Sequence, residues 1–342
     1  MLQETLKFEL PSYLNAAMPP ERRGVRRDQV KMMVQNRRTG QTMHDHFFNL
    51  DLYLKKGDVL VLNSSRTVPA ILKSELYRNG EVIQNEMEIR LARRKNDSTW
   101  EALAVSEEVK RGDQLIFSKQ FLGEVLEVNK KRPFITIKFS KNGSALYDEI
   151  YAIGEPVRYE YINSPWELDY YQTVFATHPG SVEMPSAGRA FSWELLFKLQ
   201  KKGIKLVFIQ LHTGLSYFLD DKWDHSPTEN YEEYTIPAEA WENILQAKVE
   251  GKRVISVGTT VVRAIETAAL NGELSGWTNL YIKPKYDLKI TDGIITGMHE
   301  PEASHLDMLS AFVNQKDLFN SYQEAIKRGY LWHEFGDMNL IL

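Results

Sequence analysis

The chain has 342 residues, a formal net charge of −4 and no cysteine, which excludes structural disulfides, thiolate nucleophiles and cysteine-bound zinc or iron–sulfur centres. Hydrophobic residues make up 43%, enough for one large core or two domains, and no apolar run approaches the roughly 20 residues of a membrane helix. The opening segment MLQETLKFELPSYL lacks the charged-then-apolar pattern of an export signal, so a cytoplasmic location is expected.

The small net charge hides an asymmetry. Residues 1–140 carry 24 Lys and Arg against 18 Asp and Glu, a net +6, and the remainder carries −10. A polyanion would therefore be held mainly by the first part. The densest cluster is Arg22, Arg23, Arg26 and Arg27, which reads either as a phosphate-contacting arm or as a solvated loop.

Taken in chain order, residues 40–63 end in the apolar run GDVLVLN and are expected to add strands to a larger layer. Residues 68–145 read as short strands broken by turn signals. Asn79-Gly80 suits a tight hairpin, Met87, Ile89 and Leu91 alternate with polar neighbours, and TWEALAV, QLIFS, FLGEVLEV and FITIKF follow. Such a unit avoids exposed edges by closing into a barrel. After about residue 165 strands alternate with helices. Ser192 caps WELLFKLQKK and Gly203 ends it; KLVFIQL, RVISVG and NLYIKP read as buried strands, and AEAWENILQAKVE, VVRAIETAAL, SHLDMLSAFV and LFNSYQEAIKRG as helices. The expectation is an α/β protein with a mixed sheet flanked by helices: a main domain from residues 1–68 and 151–342, and an inserted β-barrel domain at 69–150.

Candidate functional residues sit where strands end. Gly258-Thr259-Thr260 joins a buried strand to a helix N-terminus, where free N–H groups hold an anion or a carboxylate, and Arg263 lies one turn further on. The plain alternative is a threonine-capped turn. His212 and His299 each follow a strand and are placed for acid/base work, or are core histidines with satisfied hydrogen bonds. His299, Glu300, His305 and Asp307 match no defensible ligand spacing, so no metal is expected. Pro179-Gly180-Ser181 and Pro185-Ser186-Ala187-Gly188 allow backbone to approach a ligand. GxGxxG, P-loop and GxSxG signatures are absent.

Several of these stretches together resemble the S-adenosylmethionine:tRNA ribosyltransferase-isomerases of queuosine biosynthesis. Asn63-Ser64-Ser65-Arg66-Thr67-Val68-Pro69-Ala70 is similar to that family's Asn-x-Thr-Arg-Val-x-Pro-Ala-Arg. Tyr171-Gln172-Thr173-Val174-Phe175 with Pro179-Gly180-Ser181-Val182 is similar to Tyr-Gln-Thr-Val…Pro-Gly-Ser-Val. Pro185-Ser186-Ala187-Gly188 with Phe191 resembles Pro-Thr-Ala-Gly-Leu-His-Phe. Residues 254–266, VISVGTTVVRAIE, match nearly throughout, and Tyr330…Phe335-Gly336-Asp337-Met338 resembles the closing Tyr-Gly-Asp-Ala-Met. The likeness runs collinearly over nearly the whole chain.

The resemblance implies an α/β domain with an inserted β-barrel, S-adenosylmethionine as co-substrate, the anticodon region of tRNA as partner, and a monomer. It implies deprotonation of the 5′ carbon beside the sulfonium, transfer of the ribosyl unit to 7-aminomethyl-7-deazaguanine, loss of adenine and methionine, and an epoxyqueuosine product. A sulfonium acidifies its neighbouring C–H, so a placed base suffices. The residues implicated are His299, His212 and Asp337 in catalysis, and Gln172, Ser181, Ser186, Gly188, Gly258, Thr259, Thr260 and Arg263 around the co-substrate. Arg66, Arg22, Arg23, Arg26 and Arg27 would meet the substrate. This chain departs from the family at Arg189 and Ala190, which stand in place of Leu and His, and at His212-Thr213-Gly214-Leu215-Ser216, Lys283-Pro284-Lys285-Tyr286 and Gly297–Ser304. A different acceptor, or a non-catalytic binder of tRNA or S-adenosylmethionine, are the alternatives those changes leave open.

Overall fold

In Val59-Leu60-Val61-Leu62, successive side chains leave a strand on opposite faces, so a run apolar at every position has to be covered on both. The computed structural model, which describes residues 7–129, 133–162, 164–216 and 230–342, shows how. The chain opens with β1 (Lys31–Gln35), β2 (Thr42–His46), β3 (Val59–Asn63) and the short β4 (Ser65–Thr67). It continues through β5 (Ile71–Arg78), β6 (Glu81–Arg94), β7 (Thr99–Ala104), β8 (Gln114–Ser118), β9 (Phe121–Val128), β10 (Phe134–Phe139) and α1 (Gly143–Ile153). Next come β11 (His178–Ser181), α2 (Trp193–Lys202), β12 (Lys205–His212), β13 (Glu232–Thr235), α3 (Ala238–Val249), β14 (Val254–Val257) and α4 (Thr259–Asn271). The described chain closes with β15 (Ser275–Thr278), β16 (Gly293–Gly297), α5 (Ser304–Leu309), α6 (Gln315–Lys327) and β17 (Met338–Ile341).

Nine strands form one sheet in the order β15-β13-β12-β3-β14-β16-β17-β1-β2. Its centre, β12, β3, β14 and β16, is parallel, and the β13–β15, β16–β17 and β1–β2 pairs are antiparallel. Val59 and Val61 pack with Ile244 of α3 and Val261 and Ile265 of α4, whereas Leu60 and Leu62 pack with Leu195, Leu196 and Leu199 of α2. Helices therefore cover both faces, as the run requires. Ser192 caps α2 by accepting the Leu195 N–H, and Gly203 ends the helix in the left-handed conformation, where a Cβ is disfavoured.

β5–β10 close into a separate barrel in the order β10-β7-β6-β5-β8-β9. The β5–β6 hairpin turns on Asn79 and Gly80, both at positive φ, the geometry an Asn-Gly pair supplies cheaply. Trp100, Phe121, Ile137 and Phe139 fill the interior, and Leu146 and Ile150 of α1 pack on the same cluster. Two expectations need correction. The run Gly143–Ile153 is helical and not part of the strand pattern; its apolar positions four apart, Leu146 and Ile150, belong to a helix face. The strand expected at NLYIKP lies instead at Ser275–Thr278. The following residues leave the sheet, with the Leu280 carbonyl accepting from Arg263, and Leu280, Tyr281 and Ile282 form a wall of the site.

Candidate active site

Parallel strands end on a common edge, and in open α/β sheets that edge is where ligands bind. The C-terminal ends of β12, β14 and β16 deliver Thr213–Ser216, Gly258–Thr260 and Met298–Glu300 to a cleft of about 520 Å³. The barrel supplies another wall through Ala92, Arg93, Glu101 and Phe134, and the C-terminal stretch adds His333 and Glu334. Gly258 turns β14 into α4 at φ 95, a conformation that favours glycine, so the N-terminus of a 13-residue helix faces the cleft. Within α4, the carboxylate of fully buried Glu266 accepts the backbone N–H groups of Lys289, Ile290 and Thr291 at 2.8–3.0 Å. That anchors the segment leading into β16, and hence His299.

The cleft is rich in carboxylates and imidazoles. Glu183 accepts the Ser216 N–H at 2.6 Å and the Ser216 hydroxyl at 2.7 and 2.9 Å. Glu232 accepts the Gly214 N–H at 3.2 Å and pairs with Arg263. His299 and His305 are stacked with ring centres 4.6 Å apart, and His299 Nε2 lies 2.8 Å from the Thr296 hydroxyl. Burial holds His299 well below the usual imidazole range, helped by His305 and His333, and pushes His305 and His333 down to about 4. All three rings are neutral at pH 7. Glu334 goes the other way: burial, then the neighbouring Glu183, push it up to about 8, with Arg189 opposing. Burial also raises Glu300.

Of the residues singled out from the sequence, Ser186, Gly258, Thr259, Thr260, Arg263 and His299 come together on this cleft. Arg263 arrives already engaged: it donates to Leu280 O at 3.1 Å, Asn230 O at 3.1 Å and Thr278 O at 3.3 Å besides pairing with Glu232. It braces α4 against β13 and β15. The structure places the others outside the cleft lining. His212 Nδ1 is 2.7 Å from Ser65 Oγ, which is 2.6 Å from Ser181 Oγ, a buried seam joining β4, β11 and β12. Gln172 bridges the Thr67 N–H and C=O. Gly188 forms a short 3₁₀ turn with Ser186. Asp337, 4% exposed, accepts the Lys31 and Leu331 N–H groups at 2.8 and 2.7 Å.

The arginine cluster divides. Arg23 donates to Phe335 O, and Arg27 to Glu21 and to Gln172 O. Arg22 and Arg26 are exposed, the first over the Trp166 and Tyr170 rings and the second beside Asp28 and Glu194. Arg66, also exposed, lies over Tyr151. Glu183, His333 and Glu334 were not singled out in sequence as site residues, and His305 was weighed only as a metal ligand and set aside. Glu334 lies inside the closing Tyr330–Met338 stretch, the only signal that pointed near it.

Fold and cleft together define a mixed α/β protein with a closed barrel, whose site, with several carboxylates in its lining, spans the sheet's strand ends and the barrel wall. The profile of the family described as "Queuosine biosynthesis protein" matches residues 3–341. The S-adenosylmethionine:tRNA ribosyltransferase-isomerase of Carboxydothermus hydrogenoformans is 37% identical over 349 residues, covering 98% of each chain. The enzyme of that name from Clostridioides difficile is 36% identical over the whole of both. The crystal structure of S-adenosylmethionine tRNA ribosyltransferase from Thermotoga maritima superposes with a TM-score of 0.57 at 29% identity, covering 98% of this chain and 99% of that one. The chain belongs to the queuosine biosynthesis family.

Proposed function

We propose that this chain is an S-adenosylmethionine:tRNA ribosyltransferase-isomerase. It transfers and isomerises the ribosyl unit of S-adenosylmethionine onto 7-aminomethyl-7-deazaguanine in the tRNA anticodon region, giving epoxyqueuosine-tRNA, adenine and methionine. The observation that carries this is the family match over residues 3–341 on a chain whose cleft chemistry suits the donor. A cleft of about 520 Å³ falls within the size range of small-molecule sites. A sulfonium is attracted to carboxylates, and Glu183, Glu232 and Glu300 line the same space. A carboxylate or ribose finds N–H donors at Gly258–Thr260, where the helix dipole favours negative charge.

Within this reading His299, neutral and open to the cleft, is the acid/base histidine of the pair read from sequence. Thr259, Thr260 and Ser186 contact the donor, and Arg263 positions α4 and Glu232. His212, Gln172, Ser181, Gly188 and Asp337 support the walls from behind. We assign the barrel unit to residues 69–150, extended to the end of α1 at Ile153, and the main domain to the remainder. Exposed Arg22, Arg26 and Arg66 meet phosphate. We place the reaction in the cytoplasm, with the protein as a monomer.

Incubation with labelled S-adenosylmethionine and tRNA carrying 7-aminomethyl-7-deazaguanine, followed by nucleoside analysis, tests the proposal. Label in the modified nucleoside with adenine and methionine released is the expected result. Adenine release without labelled tRNA would replace the acceptor, and no turnover would leave only a binding role.

A further inference from the structure

Glu334 is held unlike any other carboxylate in the cleft. Its neighbour His333 sits at φ 70, uncommon for a residue with a side chain, and the His333 ring is stacked 4.4 Å over Tyr161. On the other side Phe335 is buried 5.2 Å from the Tyr171 ring. The peptide carrying Glu334 is thus clamped, and Glu334 lines the cleft. Its Oε1 is sealed from solvent and has no hydrogen-bond partner among the described residues, an arrangement that is costly for a carboxylate and tolerable for a carboxylic acid. Glu183 takes the N–H and hydroxyl of Ser216. The two neighbouring carboxyl groups therefore sit in unlike surroundings, one with these hydrogen bonds made and the other with an oxygen left unpartnered. A second, small void is lined by Ala190, His333 and Glu334, so the room left by alanine at that position borders this acid.

The reaction has two leaving groups. Methionine leaves a sulfonium as a neutral thioether and needs no proton. Adenine would leave as an anion, so it is the group that a general acid assists. We propose that Glu334 is the general acid that protonates the departing adenine. This rests on the ribosyl-transfer reading above. The bond between the ribosyl carbon and the purine nitrogen breaks with both electrons going to the purine. The Glu334 carboxyl proton passes to a purine nitrogen, and the carboxylate regains a proton from water.

Single-turnover adenine release is the first test. Glu334→Gln should slow it by about 10²-fold or more with S-adenosylmethionine affinity by calorimetry unchanged, and Glu334→Asp should keep an intermediate rate. A donor carrying 2-fluoroadenine, a better leaving group, should narrow the gap between wild type and Glu334→Gln. Equal adenine release by wild type and Glu334→Gln overturns the assignment alone. Wild-type protein that releases no adenine overturns the reading beneath it as well.

The second measurement is stability against pH, independent of turnover. A carboxyl that keeps its proton to about 8 when folded, and loses it near 4.5 when unfolded, makes stability fall as pH rises through that window. Glu183, Arg189, Tyr159, Tyr161 and Tyr171 face it from neighbouring segments, Glu300 lines the same cleft, and the depressed histidines act in the opposite sense only below about pH 6.5. Between pH 6.5 and 8, therefore, Glu334→Gln should decline less steeply than wild type. An unchanged slope overturns the buried, protonated state that the proposal needs.

Discussion

Arg263 shows how a residue that reads as a ligand from sequence becomes a brace in the fold. A guanidinium has five donors in a planar fork, and here four are spent, on three backbone carbonyls and Glu232. The pair is largely buried, with side-chain exposures of 14% and 6%. Removing one partner leaves the other charge buried alone, at about 3–5 kcal/mol. Arg263→Ala should accordingly lose about 3 kcal/mol in denaturant unfolding. Arg263→Met with Glu232→Gln should recover much of that loss, because neither charge is then stranded. A cost confined to donor affinity, with stability unchanged, would return Arg263 to the role of a ligand.

At the level of elements, the site depends on pieces that converge from different parts of the chain. The parallel strands β12, β14 and β16 each contribute the turn that follows them, while α1 sits against the barrel. Leu146 and Ile150 are 1% and 0% exposed and share a cluster with Trp100 and Val182, the residue just after β11. Leu146→Ala should destabilise the protein by about 2–5 kcal/mol, as a buried leucine leaves a cavity. If α1 only decorated the barrel, thermal unfolding of this variant would match wild type. The barrel strands, β12, β14, α2, α3 and α4 were legible because their periodicities and caps are local; β15 was misplaced, and β13, β16 and β17 were not read. Helix α1 was not, since it follows directly on a strand and its two core residues pack against partners far off in sequence.

For the whole molecule, charge distribution decides how a polyanion is held. Residues 1–140 carry a net +6 against −10 in the rest, so tRNA phosphates are expected to be met mainly by the first part. The arginine cluster does not act as a unit in the folded chain. Arg23 and Arg27 tie the N-terminal turns to the residues around Phe335 and Gln172, so reversing them should chiefly disrupt packing. Reversing exposed Arg22 and Arg26 to Glu should weaken tRNA binding and flatten its dependence on salt, since a phosphate that is no longer neutralised keeps the roughly one counterion that binding would release. Titration across salt concentrations checks this. A double variant that binds with the wild-type salt slope would mark the cluster as a solvated turn.

The sequence by itself determined the class of this protein: the alternating runs, the Asn79-Gly80 turn, the Ser192 and Gly203 caps and the collinear motifs all act between neighbours in the chain. It also marked Gly258–Thr260, because a strand running into a helix N-terminus is a local event, and His299, by its place just after a strand and in the collinear motifs. Tertiary structure alone decided which candidates share a space. His212 and Asp337 turned into buried seams, whereas Glu183, Glu232 and Glu334 met in one cleft from separate segments. Whether a carboxyl keeps its proton, or an arginine has a donor to spare, depends on desolvation and on partners more than 30 residues away, and no local pattern encodes that.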